Sequence, residues 1–184
     1  MINISNTALF IFYNSPCGKL ILASAGEKLC LCDWSESRCL ERNIQSVSSC
    51  LGVEFKEGYS AILQSASRQL DEYFTGRRTT FDIPLCFAGT EFQKDVWNAL
   101  LEIPYGATYS YMDIARTVGN PKGVRAVAQA IGANRMSIFV PCHRVIGTNH
   151  SLTGFAGGLE AKRFLLELES NRIFRTNNIL CYMY

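Results

Sequence analysis

Histidine is scarce in this sequence. Only His143 and His150 occur in 184 residues, so residues 1–142 offer no imidazole for a metal site or an acid–base centre. The same stretch contains no Cys-x-x-Cys pair, the spacing that two zinc ligands usually have. Five of the eight cysteines nevertheless fall between Cys17 and Cys50. Without histidines or paired spacing they do not form a zinc pattern, and we expect no metal site.

Long hydrophobic runs are also missing. The apolar run at residues 8–13 is too short to span a membrane or to form the core of a secretion signal, and no basic segment precedes it. We therefore expect no membrane association and a cytoplasmic location. Reduced thiols are expected for the eight cysteines, because disulfides are rare in reducing compartments.

The overall charge is small, but it is unevenly distributed. Charged residues make up 18% of the chain, and the formal net charge is +2. Between residues 103 and 158 the only acid is Asp113, whereas there are five basic residues: Arg116, Lys122, Arg125, Arg135 and Arg144. This excess of positive charge indicates an anionic partner. A basic face that merely contacts solvent explains it equally well.

The first half of the chain has the pattern of a small sheet followed by a helix. Short apolar runs separated by turn residues predict a β-meander. The predicted strands cover residues 9–13, 20–23 and 29–34. Residues 36–50 are weakly helical in pattern, whereas residues 61–74 carry a clear apolar stripe of helical period. The first half is therefore expected to form an α/β domain.

A domain boundary is predicted near the middle of the chain. Residues 77–86 have an extended pattern, and Gly89 and Thr90 begin a new, helical one. We therefore place an N-terminal domain at residues 1–87 and a C-terminal domain at residues 88–184.

The second half is predicted to be mainly helical, with a helix-turn-helix. The expected helices begin after Thr90 and cover residues 111–118, 122–131 and 159–169. The tight turn Gly119-Asn120-Pro121 separates the second helix from the third, and such a pair is the usual form of a DNA-binding helix-turn-helix. The later helix of the pair carries Arg125 among small residues that permit close approach to a partner.

The run Pro141-Cys142-His143-Arg144-Val145 holds the strongest candidate for chemistry. Residues 138–140 are apolar and predict a buried strand end, and proline stiffens the approach to Cys142. A thiol in basic surroundings can be held partly as the nucleophilic thiolate. Adjacent residues of an extended segment point in opposite directions, so a direct hydrogen bond from Cys142 to His143 is not expected. The pair alone is also compatible with a purely structural cysteine.

These motifs together resemble one known family, the O6-alkylguanine-DNA alkyltransferases. The resemblance runs through FQKDVWNALLEIPYGATYSYMDIARTVGNPKGVRAVAQAIGANRMSIFVPCHRVIG, then TGFAGG and KRFLLELE, and so covers about residues 88–169. In the first half only SPCGKLILA and LDEYFTG resemble the family. The resemblance implies a ribonuclease-H-like α/β domain followed by a mainly α, winged-helix-like domain.

The resemblance implies a repair reaction that is used once and needs no cofactor. Cys142 would take the alkyl group from guanine O6 and keep it as a thioether. His143 would accept the thiol proton through a water molecule, and Glu169 would orient His143, which is the logic of a catalytic triad. Tyr111 would donate a proton to a ring nitrogen of the departing guanine. O4-alkylthymine is a further substrate that the resemblance allows.

The resemblance also implies that the partner is double-stranded DNA containing alkylated guanine. Arg125 would fill the space left by a flipped base, and Asn134 would tie the recognition helix to the Cys142 segment. Further DNA contacts are expected at Lys122, Ala126 and Arg135. A monomer is expected, in the nucleoid region of a prokaryote or the nucleus of a eukaryote.

A substrate pocket is implied around the loop that precedes the last helix. Its expected residues are Pro141, Val145, Phe155, Ala156 and Gly157, with Gly158 beside them. Phe155 stands where many relatives have tyrosine, and Ala156 where some have serine, so two polar contacts to the base are lost. A roomier, more apolar pocket follows, which could admit alkyl groups larger than methyl.

Other interpretations stay open at this point. Tyr111 could be a core tyrosine, Arg125 a surface charge, and Glu169 one of several solvated acids on its helix. Arg144 could face solvent, a phosphate or a carboxylate, and His150 is expected on a surface loop. For the whole chain, the alternatives are a protein that binds alkylated DNA without repairing it and a cysteine hydrolase. A thioether offers no hydrolytic release, which disfavours the hydrolase.

Overall fold

The computed structural model describes residues 6–170, and in its N-terminal domain two helices cover a four-stranded sheet. The strands are β1 (Thr7–Ser15), β2 (Gly18–Ala25), β3 (Lys28–Trp34) and β4 (Glu54–Glu57), and the helices are α1 (Leu40–Leu51) and α2 (Ala61–Phe74). The order in the sheet is β3-β2-β1-β4. The first three strands form the predicted antiparallel meander, and β4 runs parallel to β1.

The middle strands are buried on both faces. Leu20 and Leu22 pack in the cluster that includes α2, whereas Ile21 and Ala23 pack in the cluster that includes α1. A strand covered on both faces reads as a continuous apolar run, as β2 does. Each fully buried leucine contributes on the order of 2 kcal/mol to folding. The sequence pattern does not predict β4, because its Glu-Phe-Lys-Glu segment is a short, mostly exposed edge strand.

The C-terminal domain is mainly helical, as the sequence predicts. Its elements are α3 (Glu91–Leu101), β5 (Tyr109–Ser110), α4 (Tyr111–Thr117), α5 (Val124–Gly132), a 3₁₀ turn (Cys142–Arg144), β6 (Val145–Ile146) and α6 (Gly158–Glu169). The two short strands pair in parallel. Helices α4 and α5 form the helix-turn-helix, and the left-handed φ of +69° at Gly119 makes the turn between them tight.

Two predictions for this domain need correction. Helix α5 begins at Val124, two residues later than expected, because Gly123 has the non-helical conformation of an N-cap. Residues 138–140 do not form a strand. Ile138 has a φ of +73°, and the amide of Cys142 donates to the carbonyl of Val140 at 2.8 Å. These local hydrogen bonds satisfy the backbone without a neighbouring strand, so Cys142 lies on a 3₁₀ turn rather than an extended segment.

The two domains are joined along the outer edge of β3. The amide of Cys32 donates to the carbonyl of Arg135 at 2.8 Å, and the amide of Ser137 donates to the carbonyl of Cys32 at 2.7 Å. An unpaired strand edge is thereby covered. Because the bridge follows directly after Asn134, the N-terminal domain fixes the segment that leads to Cys142.

The start of α3 provides a test of this fold. Thr90 caps the helix by accepting from the amide of Gln93 at 3.3 Å, and the Gln93 side chain accepts from the Thr90 amide at 3.0 Å. Thr90→Ala should lower the free energy of unfolding by about 1 kcal/mol, measured by urea denaturation. Thr79→Ala, at an exposed site with no such bond, is the control. Equal stability of the two variants would contradict the capping role.

Candidate active site

A cleft of about 770 Å³ lies between the two domains. The C-terminal domain lines it with Cys142, Tyr111, Asn134 and the loop from Gly154 to Gly158. The N-terminal domain lines it with Trp34, Cys17, Lys19 and the segment from Glu36 to Cys39. The candidate nucleophile therefore faces a space that both domains shape.

Cys142 is held at the start of the 3₁₀ turn and is almost fully buried. The side-chain amide of Asn134 donates to its Sγ at 3.1 Å and to the carbonyl of Val140 at 3.0 Å. Burial raises the pKa of the Cys142 thiol, and the Asn134 hydrogen bond and the Lys162 charge oppose only part of that effect. The resting group is therefore a thiol, and its proton must leave before it can act as a nucleophile.

Asn134 connects the end of α5 with the active-site segment. Its Oδ1 accepts from the amide of Met136 at 2.9 Å, while its Nδ2 reaches Val140 and Cys142. The side chain thus makes the backbone contacts that the resemblance implies. A movement at the end of α5 would change the position of the thiol.

His143 is completely buried beside Glu169. Its Nε2 lies 2.7 Å from Oε1 of Glu169, and its Nδ1 has no hydrogen-bond partner among residues 6–170. An ionised carboxylate only accepts hydrogen bonds, so Nε2 carries the proton of the neutral ring and Nδ1 is left as an acceptor. Burial lowers the pKa of His143 despite the opposing effect of Glu169. The ring is therefore neutral and able to accept a proton at Nδ1.

The Glu169 carboxylate is buried, and four of the residues between 6 and 170 donate hydrogen bonds to it. Its donors are the hydroxyl of Tyr73 at 2.7 Å, Nε2 of His143 at 2.7 Å, Nε and Nη2 of Arg144 at 2.8 and 3.0 Å, and the amide of Gly106 at 3.2 Å. Burial would raise the pKa of Glu169, but His143 and Arg144 outweigh it and lower the pKa to about 2. The interpretation of Glu169 as a solvated surface acid is wrong.

Arg144 belongs to the same buried cluster. Besides Glu169, its guanidinium donates to the carbonyl of Ile103 at 2.5 Å. Of the three partners considered from the sequence, the carboxylate is the one that the structure shows. Its fork of donors neutralises the buried Glu169 charge.

Lys162 and Tyr73 also reach this region, and neither is among the site residues predicted from the sequence. Lys162 is fully buried on α6, and its Nζ donates to the carbonyls of Val145 at 2.6 Å and Thr153 at 3.0 Å. Lys162 thereby connects two segments: the end of the 3₁₀ turn that contains Cys142, and the start of the loop that precedes α6. Tyr73 comes from the N-terminal domain, 96 residues from Glu169 along the chain. Neither contact has a local sequence pattern.

Tyr111 is half-buried at the first turn of α4 and lines the cleft. Its hydroxyl lies 2.9 Å from Oγ1 of Thr153, and Ser110 caps the helix beneath it. The phenol therefore faces the same space as Cys142 and is not a core tyrosine.

The residues predicted to contact DNA fall into two groups. Arg125 and Ala126 are exposed in the first turn of α5, and Lys122 is exposed in the turn just before the helix. Arg135 instead donates to the carbonyl of Ala88, and its guanidinium lies 5.9 Å from the ring centroid of Trp97. Because Arg135 lies on the segment that bridges to β3, its side chain occupies the joint between the domains, and this position does not support the predicted DNA contact.

The pocket loop packs on the N-terminal domain. The rings of Trp34 and Phe155 lie 5.7 Å apart, and a side chain at Gly157 would collide with Trp34. Ala156 is exposed and lines the cleft, as predicted. Glycine at position 157 is therefore required by a close approach within the protein.

Two residues predicted for the pocket lie elsewhere. Pro141 lines a second cleft on the other side of the active-site turn, and Val145 is fully buried in β6. The 3₁₀ turn causes this difference, because it rotates Cys142 towards the cleft and its neighbours away from it. His150 is exposed, as expected, with a φ of +61°.

Residues 6–170 offer neither a metal-binding cluster nor a membrane-spanning helix. That part of the chain contains no cluster of three or more His, Cys, Asp or Glu side chains placed to hold a metal ion. None of its helices is long and apolar enough to cross a membrane.

Two family models match the chain. The ribonuclease-like domain of 6-O-methylguanine DNA methyltransferase matches residues 9–87, and the DNA-binding domain of the same family matches residues 91–171. The chain belongs to the 6-O-methylguanine DNA methyltransferase family. DNA repair by transfer of an alkyl group to a cysteine follows from this membership, and DNA is the partner.

Relatives of known name support the assignment over nearly the whole chain. The methylated-DNA–protein-cysteine methyltransferase of Methanosarcina acetivorans is 46% identical over 88% of this chain and 98% of its own length. The constitutive enzyme of Bacillus subtilis is 47% identical over 84% of this chain and 91% of its own. The crystal structure of Mycobacterium tuberculosis OGT in complex with DNA has a TM-score of 0.77 and 42% identity, covering 90% of this chain and 94% of that one.

The buried Glu169 of this methyltransferase predicts a specific loss of stability in acid. Because its pKa is lowered from 4.5 to about 2, its stabilising effect is complete above pH 4.5 and is lost as the pH falls towards 2. The loss should amount to about 3 kcal/mol. Urea denaturation of the wild type at a series of pH values should show it.

Glu169→Gln should flatten this pH dependence, since glutamine does not titrate. Glu167→Gln, which removes an exposed acid two residues away, should keep the wild-type slope. If both variants lose stability in acid as the wild type does, Glu169 is not the group responsible.

Proposed function

We propose that Cys142 accepts the alkyl group of O6-alkylguanine in duplex DNA, irreversibly and once per protein molecule. The observation that supports this most directly is the neutral His143 ring, with Nε2 bonded to Glu169 and Nδ1 left as an acceptor. A base of that form lies on the residue next to a buried thiol that faces an open cleft. The chain thus contains a nucleophile, a base and an orienting acid.

The proton first passes from Cys142 to Nδ1 of His143 through a water molecule. No hydrogen bond joins the two side chains, both of which lie in the described part of the chain, so a bridge is needed. The resulting imidazolium is stabilised by Glu169, which stays ionised. The thiolate and the imidazolium form together, so the cleft gains no net charge.

The thiolate then displaces guanine from the alkyl carbon. A sulfur–carbon bond forms while the carbon–oxygen bond breaks, and the electron pair of that bond stays with the guanine. Tyr111 donates its hydroxyl proton to a guanine ring nitrogen, so the leaving group is neutral, and the negative charge of the resulting phenolate is balanced by the imidazolium of His143. The Tyr111 hydroxyl lies in the cleft beside Thr153, where a donor of this kind is needed. The thioether has no route to hydrolysis, so Cys142 is not regenerated.

DNA would dock on helix α5. Arg125 and Ala126 are exposed in its first turn and Lys122 just before it, and Arg125 would fill the gap left by the flipped base. Flipping the base out of the duplex costs on the order of a few kcal/mol. Contacts to the extruded base and to the DNA backbone offset this cost. All the proposed catalytic residues belong to one chain, so a monomer is sufficient for the reaction. The protein would act where DNA is located, which is the cytoplasm and nucleoid of a prokaryote or the nucleus of a eukaryote.

Alkyl transfer can be measured directly by mass. After incubation with duplex DNA containing O6-methylguanine, the intact protein should gain one methyl group, and peptide mass spectrometry should find it on Cys142. Cys142→Ala should lose transfer completely and keep DNA binding, because only the nucleophile is removed. Cys17→Ala is the matched control, since that thiol lines the same cleft and should be dispensable.

The same measurement separates the alternatives. A protein that binds the methylated duplex and gains no mass would be a binding protein without repair activity. Methylation of Cys17 with Cys142 unmodified would refute the assigned nucleophile. Repeated turnover of any substrate by Cys142 would refute the single-use reaction.

The pocket loop predicts tolerance of larger alkyl groups. Phe155 and Ala156 present apolar surface to the cleft and no hydroxyl. In a competition between O6-methylguanine and O6-benzylguanine duplexes, the two transfer rates should differ by less than about tenfold. Ala156→Trp should reduce benzyl transfer more than methyl transfer, because it fills an exposed part of the cleft. Strict rejection of the benzyl group by the wild type would contradict a roomier pocket.

A further inference from the structure

The last turn of α2 sends a side chain from the N-terminal domain into the active-site cluster. Tyr73 is fully buried, and its hydroxyl donates to Oε1 of Glu169 at 2.7 Å. The residue lies in the LDEYFTG segment, to which the proposed reaction assigns no function. Among the residues that the structure describes, it is the donor to Glu169 that the N-terminal domain supplies.

The hydroxyl of Tyr73 shares its acceptor with the catalytic base. Nε2 of His143 lies 2.7 Å from the same Oε1, and Nη2 of Arg144 lies 3.0 Å from it. An oxygen with three donors has its lone pairs fully engaged, so each donor restricts the direction of the others. The orientation of the His143 ring therefore depends on the donor from α2.

The ring of Tyr73 is itself held by packing. Its centroid lies 5.4 Å from those of Phe74 and Phe81 and 6.2 Å from that of Tyr105. A buried phenol enclosed in this way has one direction for its hydroxyl. Tyr105, by contrast, is half-buried, and its hydroxyl lies 3.4 Å from the carbonyl of Leu168. Of these two neighbouring tyrosines, Tyr73 is the one whose hydroxyl donates to the Glu169 carboxylate.

We propose that Tyr73 is a positioning residue for alkyl transfer, by which the N-terminal domain sets the orientation and basicity of His143 through Oε1 of Glu169. This inference rests on the proposed function of Cys142 and His143. It gives the N-terminal domain a part in the chemistry in addition to its part in the cleft wall. Tyr73 does not touch the thiol, and its effect passes through the carboxylate.

The expected direction of the effect follows from the charges around the pair. Glu169 favours the imidazolium form of His143, whereas Arg144 and Lys162 disfavour it. Tyr73 donates to the carboxylate and so reduces its attraction for the His143 proton. Without that donor the carboxylate becomes more basic and the pKa of His143 rises. Tyr105 stands near Glu169 as well, but it donates to a different acceptor.

Tyr73→Phe tests the proposal, because it removes one hydroxyl and keeps the ring. Single-turnover transfer from an O6-methylguanine duplex should be measured from pH 5 to 9, approximately, in wild type and variant. The acid side of the rate profile should move to higher pH, and the plateau rate should fall about three- to tenfold, as expected for one lost hydrogen bond. Tyr105→Phe, the matched loss of a neighbouring hydroxyl, should leave the profile in place.

The outcomes separate this proposal from the proposed function. If the wild type transfers the methyl group to Cys142 and Tyr73→Phe gives the same profile, the positioning role is refuted and the proposed function stands. If the wild type itself does not modify Cys142, the proposed function fails first. A lower plateau without a shift in pH would assign Tyr73 a structural role only and would also refute the proposal.

A spectroscopic measurement tests the same contact without activity. The chain has two histidines, so the imidazole signals of buried His143 and exposed His150 can be told apart by NMR. The signal of the His143 Nε2 proton should move in Tyr73→Phe and stay in Tyr105→Phe, with His150 unchanged in both. An unchanged His143 signal in Tyr73→Phe overturns the proposal.

The wild-type protein provides the test if Tyr73→Phe does not fold. The Tyr73 hydroxyl proton should be protected from exchange and should change its chemical shift when His143 titrates. A hydroxyl proton that exchanges freely, or that does not respond to the titration, would show that the two groups are not coupled through Glu169.

Discussion

The buried charge of Glu169 is the constraint around which the active site is arranged. A carboxylate removed from water costs several kcal/mol, approximately, unless charges and hydrogen bonds compensate it. Here Arg144 supplies the charge, and donors from Tyr73, His143 and Gly106 complete the set. The need to satisfy one carboxylate brings α2, α6, the 3₁₀ turn and the loop before α4 to the same point. His143 and Arg144 belong to the Cys142 turn, so their contacts with Glu169 also help to hold that turn in place.

The N-terminal domain is part of the active site for three separate structural reasons. The edge of β3 pairs with the segment after Asn134, which fixes the approach to Cys142. Trp34 packs against Phe155 and leaves no room for a side chain at Gly157, so it forms a wall of the cleft. Tyr73 reaches the Glu169 carboxylate, which orients His143 in the proposed reaction. A domain that only carried the DNA-binding half would need none of these contacts.

Much of the C-terminal domain could be predicted from the sequence because its signals are local. Thr90 and Ser110 cap their helices within three residues, and the Gly-Asn-Pro turn between α4 and α5 is read directly. The 3₁₀ turn at Cys142 could not be predicted, since an apolar run before proline has the same pattern in a strand. The burial of Glu169 and Lys162 was equally inaccessible, because charged residues on a helix are usually solvated and their partners here are distant in sequence.

The burial of Cys142 is consistent with a nucleophile that is used once. A thiolate is the form that oxidants and reactive alkylating agents attack, so an exposed, low-pKa cysteine would be consumed without repairing anything. Burial raises the pKa of the Cys142 thiol, and the neutral ring of His143 can accept the proton at Nδ1, which has no partner within residues 6–170. The Cys142 thiol therefore becomes reactive when a substrate lies in the cleft, and it stays unreactive in the resting protein. In the proposed reaction, the same burial that slows wasteful reactions is the reason that His143 and Glu169 are needed.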